Sequence, residues 1–181
     1  LIYPQIQNSA FLLDNCGQIL NEWELDDLHR AGAVAYLTPN GQLLSASTNS
    51  SLYGPTFGAG GAGGIIELHN WEGDLEWRYI VADTVYRQHH DIQLMPTGNV
   101  LILSWERFHI DDLLLNGFDT LSNNVRSLWS EAIFEVDPKT DSIVWEWHAW
   151  DHLVQDYDSR KLNYGVVADH DELIDMNYHE F

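Results

Sequence analysis

Two of the nine histidines in this chain stand side by side, in the run Arg87-Gln88-His89-His90-Asp91. An imidazole near its ordinary pKa can act as acid, base or nucleophile, so such a pair at a wet position is the first candidate for chemistry. A histidine that only caps a strand by hydrogen bonding is the plainer reading. On a strand His90 alternates away from both His89 and Asp91. His89 is therefore expected to pack within its own sheet, and a simple Asp–His pair is not expected. No H-E-x-x-H, cysteine-rich zinc pattern or G-x-S-x-G elbow occurs, so the expectation is no metal and no cofactor.

Cations are scarce. Lys and Arg number 8 against 28 Asp and Glu, a net charge of −20. That balance argues against nucleic acid or an anionic membrane as partner, since both need clustered positive charge. Arg87, just before the histidine pair, and Arg107, in Trp105-Glu106-Arg107, are the local cations suited to a small anion. A surface arginine paired with a carboxylate is the plainer account of Arg87. Tryptophans Trp147 and Trp150 flank His148 and lead into a dense polar-aromatic stretch ending near Asp158.

These residues need a scaffold, and the chain repeats one. A first kind of hairpin runs Phe11 to Trp23 and returns as Ile65 to Trp77 and Ile133 to Trp145. Each is an apolar run, a polar turn and an alternating strand closed by tryptophan, so Trp23, Trp77 and Trp145 read as packing anchors. The third copy has proline and no glycine in its turn. A second kind carries a proline-x-glycine turn and runs Val34 to Leu44 and Asp91 to Leu103. Turns are expected at Asn15 to Gly17, Asn40 to Gly41, Glu72 to Gly73, Thr97 to Gly98 and Lys139 to Asp141.

The two kinds alternate with a period of about 56 residues, from Gly17 to Gly73 and again from Gly41 to Gly98, which implies four-stranded units. The expected class is therefore all-β, a propeller of antiparallel blades. The first strand of a blade lies innermost, which would place His89 and His90 at the mouth of a central channel. About three blades fit, whereas propellers close with roughly 4–8, so 1–181 is expected to be a partial domain completed by further blades or a partner chain.

Between the hairpins lie insertions at about 45–64, 108–129 and 150–172, expected as loops or short helices on one rim. The run Gly58 to Gly64 resembles a phosphate loop only superficially, because no Lys-Ser/Thr follows and a strand comes next. A flexible connection or close backbone packing fits it better. With 45% hydrophobic residues the chain can bury a core, and no apolar run approaches the roughly 18–20 residues that cross a bilayer. Cys16 is the single cysteine, and Asn49-Ser50-Ser51 matches a glycosylation sequon. The start at Leu1 without a basic-then-apolar leader suggests a processed or partial chain.

Several runs together resemble a known family. They are Gly63 to Leu68, His89-His90-Asp91-Ile92 followed by Pro96 to Leu103, Glu135 to Pro138, Val144 to His148, Trp150 to Asp156, and Ala168-Asp169-His170. In order and density they are similar to the arylsulfotransferases, the aryl-sulfate sulfotransferases found mainly in bacteria, from about Phe11 to Tyr178. The resemblance implies a six-bladed, exported propeller, periplasmic or extracellular. It also implies sulfuryl transfer from an aryl sulfate to a phenolic acceptor through a transiently sulfated channel histidine, with no nucleotide donor. His90 and Arg107 are then the candidate catalytic groups, and His89, Arg87, His152 and His170 the candidate substrate contacts. The blades carrying the sulfated histidine and a further histidine–arginine pair would lie beyond Phe181. The other class of function is a non-catalytic propeller, a binding or structural subunit.

Overall fold

Four of the five hairpin turns close with one pattern of main-chain bonds. Asp14, Thr38, Asn70 and Met95 each donate N–H to the carbonyl four residues on, at 2.8–2.9 Å, and accept from the glycine three residues on, at 2.9–3.2 Å. Those glycines, Gly17, Gly41, Gly73 and Gly98, have φ of 79° to 92°, where a side chain is disfavoured. The fifth turn has no glycine, and Asp141 takes the left-handed conformation itself, with φ of 55°. All five lie where the sequence places them.

The computed structural model describes residues 1–5, 7–26, 28–49, 59–121 and 125–178. Ser50 and Ser51 of the sequon, 50–58 of the first insertion, 122–124 of the second, and His179 lie outside the described residues. Strand β1 (Ser9–Leu13) pairs β2 (Ile19–Glu24) as a hairpin. Strands β3 (Arg30–Leu37), β4 (Leu43–Thr48), β5 (Ile65–His69) and β6 (Leu75–Ile80) form one four-stranded sheet in chain order. Strands β7 (Tyr86–Leu94), β8 (Val100–His109), β9 (Ser127–Asp137) and β10 (Ser142–His148) form a second, again with neighbours in sequence paired. Helix α1 (Ile110–Leu115) follows β8, and β11 (Leu153–Val154) pairs in parallel with β12 (Ile174–Asp175). With 50% strand and 8% helix, and four-stranded antiparallel sheets, the chain is mostly β, as expected.

The chain divides into two compact units, Leu1–Ser104 with Ile133–Glu146, and Trp105–Ala132 with Trp147–Phe181. In the first, Ala10, Trp23 and Leu43 form a fully buried core cluster, with Tyr3, Leu12 and Ala35 packed on it. Strand β4 is buried along almost its whole length, whereas the outer strand β6 is mostly exposed. In the second unit Leu113 of α1, Phe118 and Met176 make the core, with Phe108, Trp150 and Leu153 against them. Gln155 is fully buried there. Its side chain donates to the carbonyls of Asp158 and Leu162 and accepts from Asp158 N–H, which organises the 155–165 loop.

Candidate functional site

The histidine pair sits in the middle of β7, not at the head of the strand as expected, where the glycine run of the first insertion lies antiparallel to it. Gly63 N–H donates to Gln88 O at 3.0 Å, and His90 N–H donates to Gly61 O at 2.8 Å. The Gln88 side-chain carbonyl also accepts from Gly64 N–H at 2.9 Å. A Cβ at Gly63 would overlap that side-chain oxygen, and one at Gly61 would overlap the His90 imidazole beside Nε2. The glycines are thus required by close approach, and Gly61 also holds φ of 77°.

Those bonds carry a consequence that strand alternation misses. His90 has φ of 50°, left-handed for a non-glycine residue, so the regular two-residue period breaks at it. Instead of facing away from one another, the two rings meet: His89 Nδ1 lies 2.9 Å from His90 Nδ1, with centroids 5.1 Å apart and planes at 87°. At that separation one Nδ1 donates and the other accepts, so the two imidazoles hold complementary tautomers. His89 is buried at 3% exposure, whereas His90 is exposed.

Asp91 is engaged elsewhere. Its carboxylate accepts from Tyr36 O–H and from Ile92 N–H, both at 2.8 Å. The bond to Asp91 is the main cause that raises the Tyr36 pKa. Arg87 is buried, 9% exposed, so the surface-arginine account of it does not hold.

A second polar group in the same unit was not anticipated. Glu67 is 1% exposed, and its Oε1 accepts from Arg78 Nε at 2.7 Å and Nη2 at 2.6 Å. His29 Nδ1 approaches the same oxygen at 3.5 Å. Ser45 stands opposite Glu67 in the β4–β5 register. Ser45 Oγ, Ser47 Oγ, Glu67 Oε2 and His69 Nδ1 are buried without a hydrogen-bond partner. Burial, reinforced by Arg78 and His29 and opposed by Glu67, lowers the His69 pKa. Tyr3 donates to Ala46 O at 2.9 Å, and burial raises its phenol pKa. The available signal was polar residues at alternate positions of two otherwise apolar strands.

In the second unit the candidates stand on separate partners. The Arg107 guanidinium lies 5.9 Å from the Trp129 ring centroid, a long cation–π contact, and its buried Nε has no hydrogen-bond partner. His152 stacks on Trp147 at 5.1 Å, and His170 Nδ1 lies 3.1 Å from Glu172 Oε1. That contact is the main cause lowering the Glu172 pKa. His148, framed by its tryptophans, pairs through Nδ1 with Glu106 Oε2 at 2.6 Å, a carboxylate–histidine contact that sequence spacing did not disclose. Among the described residues no group of three or more His, Cys, Asp or Glu is placed to hold a metal ion. Among the described residues no helix is long and apolar enough to cross a membrane.

No protein-family model matches the chain, and neither does any curated protein or solved structure.

Proposed function

We propose that this chain carries the proton-transfer histidine of an aryl-sulfate sulfotransferase, built on a six-bladed propeller and acting in the periplasm or outside the cell. The observation that carries the reading is the His89–His90 contact: a buried imidazole bonded to an exposed one on a left-handed backbone. As the imidazolium, the form a general acid needs, His90 donates its Nδ1–H to His89 Nδ1 and carries the transferable proton on Nε2.

In the reaction the aryl O–S bond breaks and the sulfuryl group passes to a nucleophilic histidine, which the family resemblance places outside these residues. His90 Nε2–H protonates the departing phenolate. In the second half the acceptor phenol returns a proton to Nε2 as its oxygen takes the sulfuryl group. The sum is aryl sulfate plus acceptor phenol giving donor phenol plus acceptor sulfate, with no net proton. Charge in the transition state spreads over the sulfuryl oxygens, so a positioned cation assists.

The test is an assay of the full-length protein with an aromatic sulfate ester and a phenol. Release of donor phenol that depends on acceptor, with ping-pong kinetics, is the expected result. No transfer with any phenol pair would discard the enzyme and leave a non-catalytic binding or structural subunit.

A further inference from the structure

The end of β6, the start of β7 and strands β9 and β10 enclose a cleft of about 140 Å³, wholly within the first compact unit. A single water needs only roughly 10–15 Å³, so the cleft admits a small organic group. Its aromatic walls are held in place by their neighbours. Tyr79 stacks on Trp77 with ring centroids 5.9 Å apart. Trp77 in turn is clasped by the β9–β10 turn, its indole N–H donating to Asp141 Oδ1 at 2.8 Å, as the Trp23 indole is clasped by Asn70 O in the β5–β6 turn. Tyr86 meets Phe134 edge-on at 5.1 Å, and Phe134 is buried.

The charges at the cleft have one sign. Asp83 lies between β6 and β7, where its Oδ1 accepts from Val85 N–H and Tyr86 N–H, both at 2.7 Å, and so fixes the carboxylate at the cleft. Glu146 brings a second carboxylate from β10, and Ile80, Val81 and Ile143 supply apolar surface. Among the described residues no Lys or Arg lines the cleft. Burial and the nearby Asp141 carboxylate raise the Tyr79 pKa, so the phenol stays protonated and neutral.

These features select a ligand class. Two carboxylates repel an anion, and among the described residues no group of three His, Cys, Asp or Glu is placed to hold a metal ion. An organic ammonium is drawn to the negative faces of aromatic rings and covers apolar surface with its alkyl groups. We propose that this cleft binds a small organic ammonium ion, its head among Tyr79, Tyr86 and Phe134 and its charge met by Asp83 and Glu146. The cleft shares no lining residue with the histidine pair, so the site stands or falls apart from sulfuryl transfer.

The test titrates choline into the full-length protein and follows the broadening of its N-methyl proton signal. A parallel titration uses the neutral isostere of choline, in which tert-butyl replaces trimethylammonium. Ionic strength is held constant, because a chain of −20 attracts any cation diffusely. The expected result is saturable binding of choline, with the neutral isostere about tenfold weaker. Glu146→Gln, an exposed change that keeps the shape, should weaken choline binding roughly 2–5-fold, as should Tyr86→Leu. Far-ultraviolet circular dichroism equal to the parent's would show that each variant folds. Equal binding of choline and its isostere would overturn the proposal and leave a plain apolar cleft. Choline binding that does not saturate, or that Glu146→Gln leaves unchanged, would overturn it in favour of diffuse attraction by the acidic surface.

Discussion

The His89–His90 pair and the His29–Glu67–His69 group share a compact unit and draw on similar residue types, yet one is presented to solvent and the other is sealed. In the first, hydrogen bonds to a glycine run turn His90 outward at φ of 50° and leave its partner buried behind it. In the second, regular strand alternation sends Ser45, Glu67 and His69 to one face, and the charge of Glu67 is met by Arg78. Backbone geometry, more than residue type, separates a candidate acid–base group from a buried polar contact. The buried group is also the costlier arrangement, because several of its polar atoms have lost water without gaining a partner.

Four measurements test that contrast. The largest effect is expected in turnover: His90→Ala should lower phenol release by roughly 10²–10⁴-fold with the fold intact, whereas His69→Ala should leave it unchanged. Equal losses from both would erase the distinction. Gly61→Ala comes next, since its methyl displaces the His90 ring; misplacing a reacting group costs up to about 10²-fold in turnover. The same change imposes a left-handed alanine, worth about 1–2 kcal/mol, readable by urea denaturation.

Glu67→Gln should instead spare turnover and cost stability. Breaking a buried pair can cost several kcal/mol, but Arg78 is 36% exposed and can turn to water, so ~2 kcal/mol is expected from the denaturation midpoint. The smallest effect is pH-dependent. His69 is held below its ordinary 6.5 in the folded chain, so the unfolded chain binds that proton first as pH falls. Its contribution to stability is complete above 6.5 and is lost as pH falls from there through the lower folded value. Urea midpoints across that range should fall with pH in the parent and fall less in His69→Gln.

Local chemistry made the hairpins legible. Pro39-Asn40-Gly41 and Pro96-Thr97-Gly98 announce turns within a few residues, and the strands beside them alternate or run apolar. The site depended on long-range contacts instead. His90 turns outward because its N–H reaches Gly61 O, a bond between segments far apart in sequence that no local period encodes. The glycine run itself was read as flexible or closely packed, and the collisions a Cβ would make at Gly61 and Gly63 decide for close packing. Asp141 shows the converse: without a glycine in the third turn, only the structure reveals which residue adopts positive φ.

That aspartate bears on the order of folding. Each hairpin closes through contacts only a few residues apart, whereas the Trp23–Asn70 and Trp77–Asp141 clasps join residues 47 and 64 positions apart. Loop closure costs more for the distant contacts, so hairpins should be native before the clasps engage. Asp141 serves both stages, first as the turn's left-handed residue and later as the acceptor for Trp77. An Asp141→Gly chain keeps the early role and loses the late one, so it should fold at nearly the parent rate and unfold faster.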